Sequence, residues 1–219
     1  MSVHLQRALE RLKKEILSLC AMVEDQVQMA VRALVDRDAQ LAAQVEKRDA
    51  EIDHREIEVE EDCLKVLALH QPVAGDLRLV VAALKINNDL ERIGDLAVNI
   101  AHKAAAFAAE PPMDIPLDID GMWRRVHGML RDAIDAMVNL DAKLAHDVCR
   151  RDDAVDQMKH QGRLLVEDLM CRQPQIIRPL LRLLAVMRNL ERIADCATNI
   201  AEDVVYMIEG KIIRHAAAD

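Results

Sequence analysis

The sequence predicts an all-α protein, and three observations lead to that fold class. Six glycines and six prolines are few for 219 residues, so most of the chain can be helical without interruption. Only one Phe, one Trp and one Tyr occur, which disfavours a β-sandwich or a β-barrel. Leu, Ile, Val, Met and Ala recur at intervals of three and four residues, the period of a helix with one buried face.

Prolines and aspartates divide this pattern into six helices. The first and fourth helices end just before Asp38 and Asp141, residues that can cap the helix that follows. Pro72 ends the second helix, Pro174 ends the fifth, and the proline-rich stretch 110–118 separates the third from the fourth. We therefore predict helices over 3–36, 38–69, 76–108, 119–139, 141–171 and 178–210.

The chain also contains an internal repeat. Residues 89–101 align with 189–201, where nine of thirteen positions are identical, and residues 33–53 align with 136–156, where ten of twenty-one are identical. The two halves are therefore homologous copies of one unit. The sequence predicts two tandem three-helix bundles related by a pseudo-twofold repeat, over 1–109 and 119–219, with 110–118 as a proline-rich linker.

Charge and composition exclude several classes of partner. The 29 basic and 38 acidic residues give a net charge of −9, and no basic run or aromatic ladder indicates nucleic-acid binding. No stretch approaches the roughly 18 apolar residues of a membrane span, so we predict a cytoplasmic protein without direct membrane insertion. The cysteines are odd in number and form no C-x-x-C pair, which predicts buried, reduced thiols at Cys20, Cys63, Cys149, Cys171 and Cys196.

Four pairs of carboxylates occur in equivalent positions of the two copies. They are Asp49 with Asp53, Glu91 with Asp95, Asp152 with Asp156, and Glu191 with Asp195. Residues four apart share a helix face, with Cβ atoms about 5–6 Å apart, so each pair repels itself unless a cation compensates. Two pairs on neighbouring helices would supply hard oxygen donors for Mg, Ca, Mn or Fe, or for a multinuclear cluster.

The compensating cation can also be an arginine. Arg48, Arg92, Arg151 and Arg192 each adjoin a member of a pair, and charged residues on long helices are commonly solvated or bridged between helices. Asn99 and Asn199 are candidates either for the edge of a metal cluster or for interhelical hydrogen bonds. The sequence alone leaves these alternatives open.

No sequence motif for catalysis is present. The chain lacks a P-loop, a G-x-S-x-G elbow and an H-E-x-x-H helix, so we predict that it is not an enzyme. The alternative is a ferritin-like di-iron carboxylate enzyme, which uses two Glu-x-x-His motifs inside one four-helix bundle. Only Glu51-Ile-Asp-His54 fits that motif, and its repeat partner at 154–157 does not.

The motifs resemble those of the PhoU family of phosphate-uptake regulators over essentially the whole chain. The resemblance is carried by the turn 71–78, Gln-Pro-Val-Ala-Gly-Asp-Leu-Arg, and by Leu90-Glu-Arg-Ile-Gly-Asp95 with its copy Leu190-Glu-Arg-Ile-Ala-Asp195. It implies a homodimer with multinuclear metal clusters, in which iron is expected and Mn, Zn, Ni, Mg or Ca are alternatives. The implied metal ligands are Asp49, Asp53, Glu91 and Asp95 in the first copy, and Asp152, Asp156, Glu191 and Asp195 in the second.

The same resemblance implies a role in signalling. It implies a cytoplasmic negative regulator of phosphate uptake and of the phosphate-starvation response, peripheral to the inner membrane through its transporter. The implied partners are the ATPase subunit of the phosphate ABC transporter and a phosphate-sensing histidine kinase, between which the protein would act as an adaptor. The second copy departs from the first, because 175–179 replaces the Ala-Gly-Asp-Leu-Arg turn, so we expect the two bundles to serve partners differently.

Overall fold

The computed structural model describes residues 3–111 and 116–213, which form six α-helices and no strand. The helices are α1 (Val3–Val35), α2 (Ala39–His70), α3 (Ala74–Ala108), α4 (Ile119–Asn139), α5 (Ala142–Arg172) and α6 (Ile177–Glu209), with a 3-10 turn at Pro174–Ile176 before α6. The predicted all-α fold of two tandem three-helix bundles, α1–α3 and α4–α6, is confirmed. Residues 112–115 of the predicted linker and the outermost residues of both predicted domains, 1–2 and 214–219, lie outside the described residues.

Both predicted aspartate caps are present. Asp38 Oδ1 accepts hydrogen bonds from the backbone N–H groups of Gln40 and Leu41, both at 2.9 Å. Asp141 Oδ1 accepts from the second and third residues of α5 at 2.9 and 3.1 Å. Each cap satisfies N–H groups that have no partner within the helix, a contribution of about 1 kcal/mol. Helices α2 and α5 therefore begin with the same type of cap in the two repeats.

The turns that precede α3 and α6 differ from prediction by one or two residues. Helix α3 begins at Ala74 rather than at 76, so Asp76 lies inside its first turn. Helix α6 begins at Ile177 and includes Pro179 in its first turn, where no intrahelical N–H bond is needed. The prolines thus predicted the region in which α3 and α6 begin, but not the first residue of either helix.

The two bundles share one continuous apolar core. Leu90 on α3 and Leu190 on α6, which are equivalent in the repeat, are both fully buried within it. Helices α3 and α6 also pack against each other, which joins the repeats along their central helices. This arrangement leaves α2 beside α3 and α5 beside α6, so each repeat has a surface formed by the two helices that carry its carboxylate pairs.

The cysteines only partly match the predicted buried thiols. Cys20, Cys63 and Cys196 are buried, and burial raises the pKa of each to about 12 because the thiolate is poorly solvated there. Cys149 is half-buried, with its pKa raised to about 11 for the same reason. Cys171 is exposed near the end of α5, so for this residue the prediction is wrong. None of the described helices is both long and apolar enough to cross a membrane.

Candidate functional site

Helix packing brings two of the predicted carboxylate pairs onto one surface of the first repeat. Asp49 and Asp53 lie on α2, and Glu91 and Asp95 lie on the neighbouring α3. Burial raises the pKa of Glu91, and the negative charges of Asp95 and of the α2 carboxylates raise it further. Burial also raises the pKa of Asp49, helped by the charges of Asp53 and Asp95. The two pairs therefore interact across the helices.

The sequence analysis missed a fifth carboxylate in this group, Glu56 on α2. Its charge is among those that raise the pKa of Glu91, and its own pKa is raised by burial and by neighbouring carboxylates. The spacing contained the signal, because Glu56 follows Asp49 by seven residues and therefore lies on the same helix face. We define the first carboxylate cluster as Asp49, Asp53, Glu56, Glu91 and Asp95.

Two buried amides orient the first carboxylate cluster from the protein side. Gln26 is fully buried, and its Nε2 donates to Asp49 Oδ1 at 2.9 Å. Asn87 is 1% exposed, and its Nδ2 donates to Glu56 Oε1 at 2.9 Å. The opposite atoms, Gln26 Oε1 and Asn87 Oδ1, are buried without a hydrogen-bond partner in the described structure. Such hydrogen bonds behind a carboxylate fix its orientation, as outer-shell partners do for metal ligands.

The second repeat presents an equivalent group of carboxylates. Asp152 and Asp156 lie on α5, and Glu191 and Asp195 lie on α6. Burial and then the charges of neighbouring carboxylates, first among them Asp195, raise the pKa of Asp152 to about 6. Burial and the charge of Glu191 raise the pKa of Asp195 in the same direction. We call these four residues the second carboxylate cluster.

The second carboxylate cluster contains its own cation. Lys159 Nζ lies 2.5 Å from Glu191 Oε1 and 3.2 Å from Asp156 Oδ1. The hydrogen bond to Glu191 is the largest of the effects that raise the pKa of Lys159. At the repeat offset of 103, Lys159 is equivalent to Glu56, so the two clusters carry opposite charges at this position.

The amide support also differs between the repeats. Met129 occupies the position equivalent to Gln26, and Met187 the position equivalent to Asn87. Both methionines are buried in the apolar core and offer no N–H group to a carboxylate. The first cluster is therefore oriented by buried amides, and the second is neutralised in part by an ammonium.

The arginines form ion pairs outside the clusters, although the charge of Arg92 opposes the rise in the pKa of Asp195. Arg48 pairs with Asp25 at 2.6 Å, and Arg151 pairs with Asp132 at 2.8 Å. Over residues 3–111 and 116–213, none of the four candidate arginines forms an ion pair with a cluster carboxylate. Asn199 donates to Asp89 at 3.3 Å, which supports the interhelical hydrogen bond among the two alternatives for that residue.

The donor chemistry of the two clusters differs in its fit to a metal ion. Among the described residues, no three His, Cys, Asp or Glu side chains already surround a single point suited to an ion. The first cluster still fits a hard cation, because it gathers five carboxylates and its described residues form no ion pair. The second cluster fits less well, because Lys159 already contacts two of its four carboxylates.

Comparison with known proteins identifies the family. The PhoU domain profile matches residues 16–104 and 119–204, one match for each repeat. A phosphate-specific transport system accessory protein PhoU homolog from Aquifex aeolicus is 37% identical over 209 residues, covering 95% of either chain. The chain belongs to the PhoU family. PhoU proteins are regulatory accessory proteins and not enzymes, which confirms that part of the prediction.

Two solved PhoU structures have the same fold. PhoU from Pseudomonas aeruginosa is 36% identical, with a TM-score of 0.90 over 94% of this chain and 99% of that one. The phosphate transport system regulatory protein PhoU from Streptococcus pneumoniae is 26% identical, with a TM-score of 0.85 over 95% and 98%. The ferritin-like alternative finds no support in this PhoU fold, since His54 is exposed on α2 and pairs with Glu58 at 3.5 Å.

Proposed function

We propose that this PhoU-family chain is an accessory protein of a phosphate transport system that acts in the cytoplasm as a negative regulator. The regulated processes are phosphate uptake and the phosphate-starvation response. The observation that carries this proposal is the match over nearly the whole chain to phosphate-specific transport system accessory proteins. Because both repeats are matched, the relationship extends to both candidate sites and not to one bundle alone.

We further propose that the protein acts as a homodimeric adaptor between the ATPase subunit of the phosphate ABC transporter and a phosphate-sensing histidine kinase. The difference between the repeats supports two partners, because the α2–α3 surface carries Glu56 where the α5–α6 surface carries Lys159. Surfaces that differ in local charge select different partners. Through the transporter, the protein would lie at the inner face of the membrane.

We propose that the first carboxylate cluster binds a metal ion through Asp49, Asp53, Glu91 and Asp95, with Glu56 as an additional ligand. Iron is the expected metal, and Mn, Zn, Ni, Mg and Ca are the alternatives. Bound at this point, the cation would neutralise carboxylates that otherwise repel one another across two helices. The corresponding ligands in the second repeat, Asp152, Asp156, Glu191 and Asp195, would take up metal only after Lys159 moves away from Glu191.

A genetic test addresses the regulatory proposal directly. The gene is deleted, and phosphate uptake and the expression of phosphate-starvation genes are measured in cells grown with excess phosphate. We expect both to rise in the deletion strain and to return to their original levels when the intact chain is supplied. Unchanged uptake and unchanged expression in the deletion strain would refute the proposal.

A further inference from the structure

A groove of about 720 Å³ lies between α5 and α6, beside the second carboxylate cluster. Leu181 and Leu184 line it together with four cationic side chains, Lys159, Arg163, Arg188 and Arg192, and with two carboxylates of the second cluster, Glu191 and Asp195. Leu181 is 52% exposed, so its side chain is accessible to a partner. The lining thus combines leucines with an excess of cations, four Lys or Arg side chains against two carboxylates, in a protein whose net charge is −9.

Two of the three arginines of this groove are specific to the second repeat, whereas Arg192 has an equivalent in Arg92. The residue equivalent to Arg163 is Glu60, and the residue equivalent to Arg188 is Asn88. Together with the exchange of Glu56 for Lys159, these differences make this part of the α5–α6 surface less acidic than the equivalent part of the α2–α3 surface. The two bundles have the same fold although these charged residues differ, so the fold itself does not explain the difference in charge.

The arginines that line the groove are available to a partner. Arg188 and Arg192 form no ion pair with any residue that the structure describes. Arg163 pairs with Glu167 at 2.9 Å, but both side chains are more than half exposed, and such a pair contributes little. Arginine is the cation best suited to carboxylates at an interface, because its planar guanidinium can bind both oxygens.

We propose that this groove binds an acidic amphipathic helix of a partner protein. Apolar residues of that helix would cover Leu181 and Leu184, and its Glu or Asp residues would face Arg188 and Arg192. The leucines in the lining offer nothing to a free phosphate ion, whereas helices that dock in grooves present apolar anchors at i, i+3, i+4 and i+7. The inference rests on the proposed adaptor function and assigns a surface to one of its partners.

A model peptide tests the chemistry of the groove while the natural partner is unidentified. The probe is a fluorescein-labelled 18-residue peptide with Leu at the anchor positions and Glu elsewhere, and its binding to the full chain is followed by fluorescence anisotropy. We expect this peptide to bind and a peptide with Lys in place of Glu not to bind. Arg188→Glu combined with Arg192→Glu should weaken binding about tenfold or more and reverse the preference between the two peptides.

Matched variants separate the groove from general electrostatic attraction. Arg124→Glu combined with Arg131→Glu makes the same change in charge on exposed positions of α4 and should leave binding unchanged. Leu181→Asp should weaken binding, whereas Leu64→Asp, on a leucine of α2 that is 53% exposed, should not. Equal weakening by the α4 variant would overturn the proposal.

Two further outcomes would also overturn it. Inorganic phosphate that displaces the peptide at concentrations where sulfate does not would identify a small-anion site instead. A change in the solution mass of the protein on substituting Arg188 and Arg192, measured by light scattering, would identify the groove as a contact between copies of this chain.

The deletion strain separates this inference from the proposed function. If the intact chain does not restore phosphate regulation, the proposed function fails, but the peptide-binding measurements still test whether the groove binds an acidic helix. If the intact chain restores regulation and the Arg188→Glu/Arg192→Glu chain restores it equally well, the groove inference fails alone. We expect the intact chain to restore regulation and the folded groove variant to lose it, with folding verified by thermal unfolding.

Discussion

The ammonium of Lys159 lies 2.5 Å from Oε1 of Glu191, at the position where the first repeat has Glu56. The second repeat therefore carries a covalently attached cation among its carboxylates, whereas the first gathers one more carboxylate instead. Four hard oxygen donors repel one another until a cation joins them, and either an ammonium or a metal ion can serve. The repulsion among the duplicated carboxylates can thus be relieved in two ways in one chain, by an ammonium in the second repeat or by a bound metal ion in the first.

This difference predicts unequal metal binding by the two repeats. Protein purified without chelators or a metal-affinity column is loaded with iron(II), washed, and measured by elemental mass spectrometry. We expect Glu56→Lys to lower the ratio of metal to chain, because it places an ammonium in the first cluster. Lys159→Glu should raise that ratio, because it removes the competing cation from the second cluster.

Variants at the ligands test the same prediction. Glu91→Ala with Asp95→Ala should remove most of the bound metal, and Glu191→Ala with Asp195→Ala should remove little. Lys65→Glu is the control for the change in charge, since Lys65 is exposed on α2 and pairs with Glu61 and Asp62 outside both clusters. Equal losses from the two double variants would contradict the predicted asymmetry.

The raised pKa of Asp152, about 6, predicts a dependence of stability on pH in the metal-free protein. Between the ordinary value of 3.8 and about 6, the folded protein holds a proton that the unfolded chain has released. The free energy of unfolding therefore falls as pH rises through this window. We expect Asp152→Asn to reduce the decrease in the free energy of unfolding between pH 5 and pH 7 by about 1 kcal/mol. This value is discounted because the carboxylate is partly exposed to solvent.

Urea denaturation of the wild type and the variant at the two pH values measures this effect. Asp135→Asn, on the exposed surface of α4, serves as the control and should leave the pH dependence as it is in the wild type. A wild-type protein that gains stability from pH 5 to pH 7 relative to Asp152→Asn would contradict the sign of the prediction.

The helices and the paired carboxylates could be predicted because their signals are local. Apolar periodicity, the caps Asp38 and Asp141, and the prolines act within a few residues, and the structure confirms the six helices to within two residues. The i, i+4 spacing likewise places each pair on one face, whichever helix packs beside it. Family resemblance then supplied the function that spacing could not.

The remaining parts of the sites depend on which helices pack together. Gln26 lies on α1 and supports Asp49 on α2, a contact that no spacing within one helix reveals. The carboxylate pairs were predicted from residues that are identical in the two repeats. The positions that distinguish the two sites are those that differ, such as Glu56 and Lys159. Differences between duplicated halves are therefore as informative about the sites as identities are.

A second ion pair, Lys85 with Asp203, joins α3 of the first repeat to α6 of the second at 3.0 Å. Asp203 is 2% exposed, and Lys85 Nζ also lies 5.3 Å from the ring centroid of Tyr206. We expect Lys85→Ala to cost about 2 kcal/mol, because it removes a cation from a buried carboxylate. Lys85→Arg, which retains the charge, should cost less, and chemical denaturation of both variants against wild type measures the difference.

The corners that precede α2 and α5 allow a matched test of backbone strain. Arg37 and Leu140 occupy equivalent positions and adopt left-handed backbone conformations, with φ of 55° and 52°. This conformation costs a residue other than glycine roughly 1 kcal/mol. Leu140 is 52% exposed, so Leu140→Gly loses little packing, and we expect it to raise the free energy of unfolding by about 1 kcal/mol.

Arg37→Gly should have the opposite effect, although the backbone strain relieved is the same. The guanidinium of Arg37 donates to the backbone carbonyl of Phe107 at 2.7 Å and lies 4.6 Å from the centroid of its ring. These contacts connect the turn after α1 to the end of α3. A hydrogen bond from a charged donor contributes about 1.5–3 kcal/mol, so the contacts together stabilise the protein by more than the backbone strain destabilises it. Urea denaturation of the two variants should therefore show changes of opposite sign, and a gain in stability for both would mean that the Arg37 contacts contribute nothing.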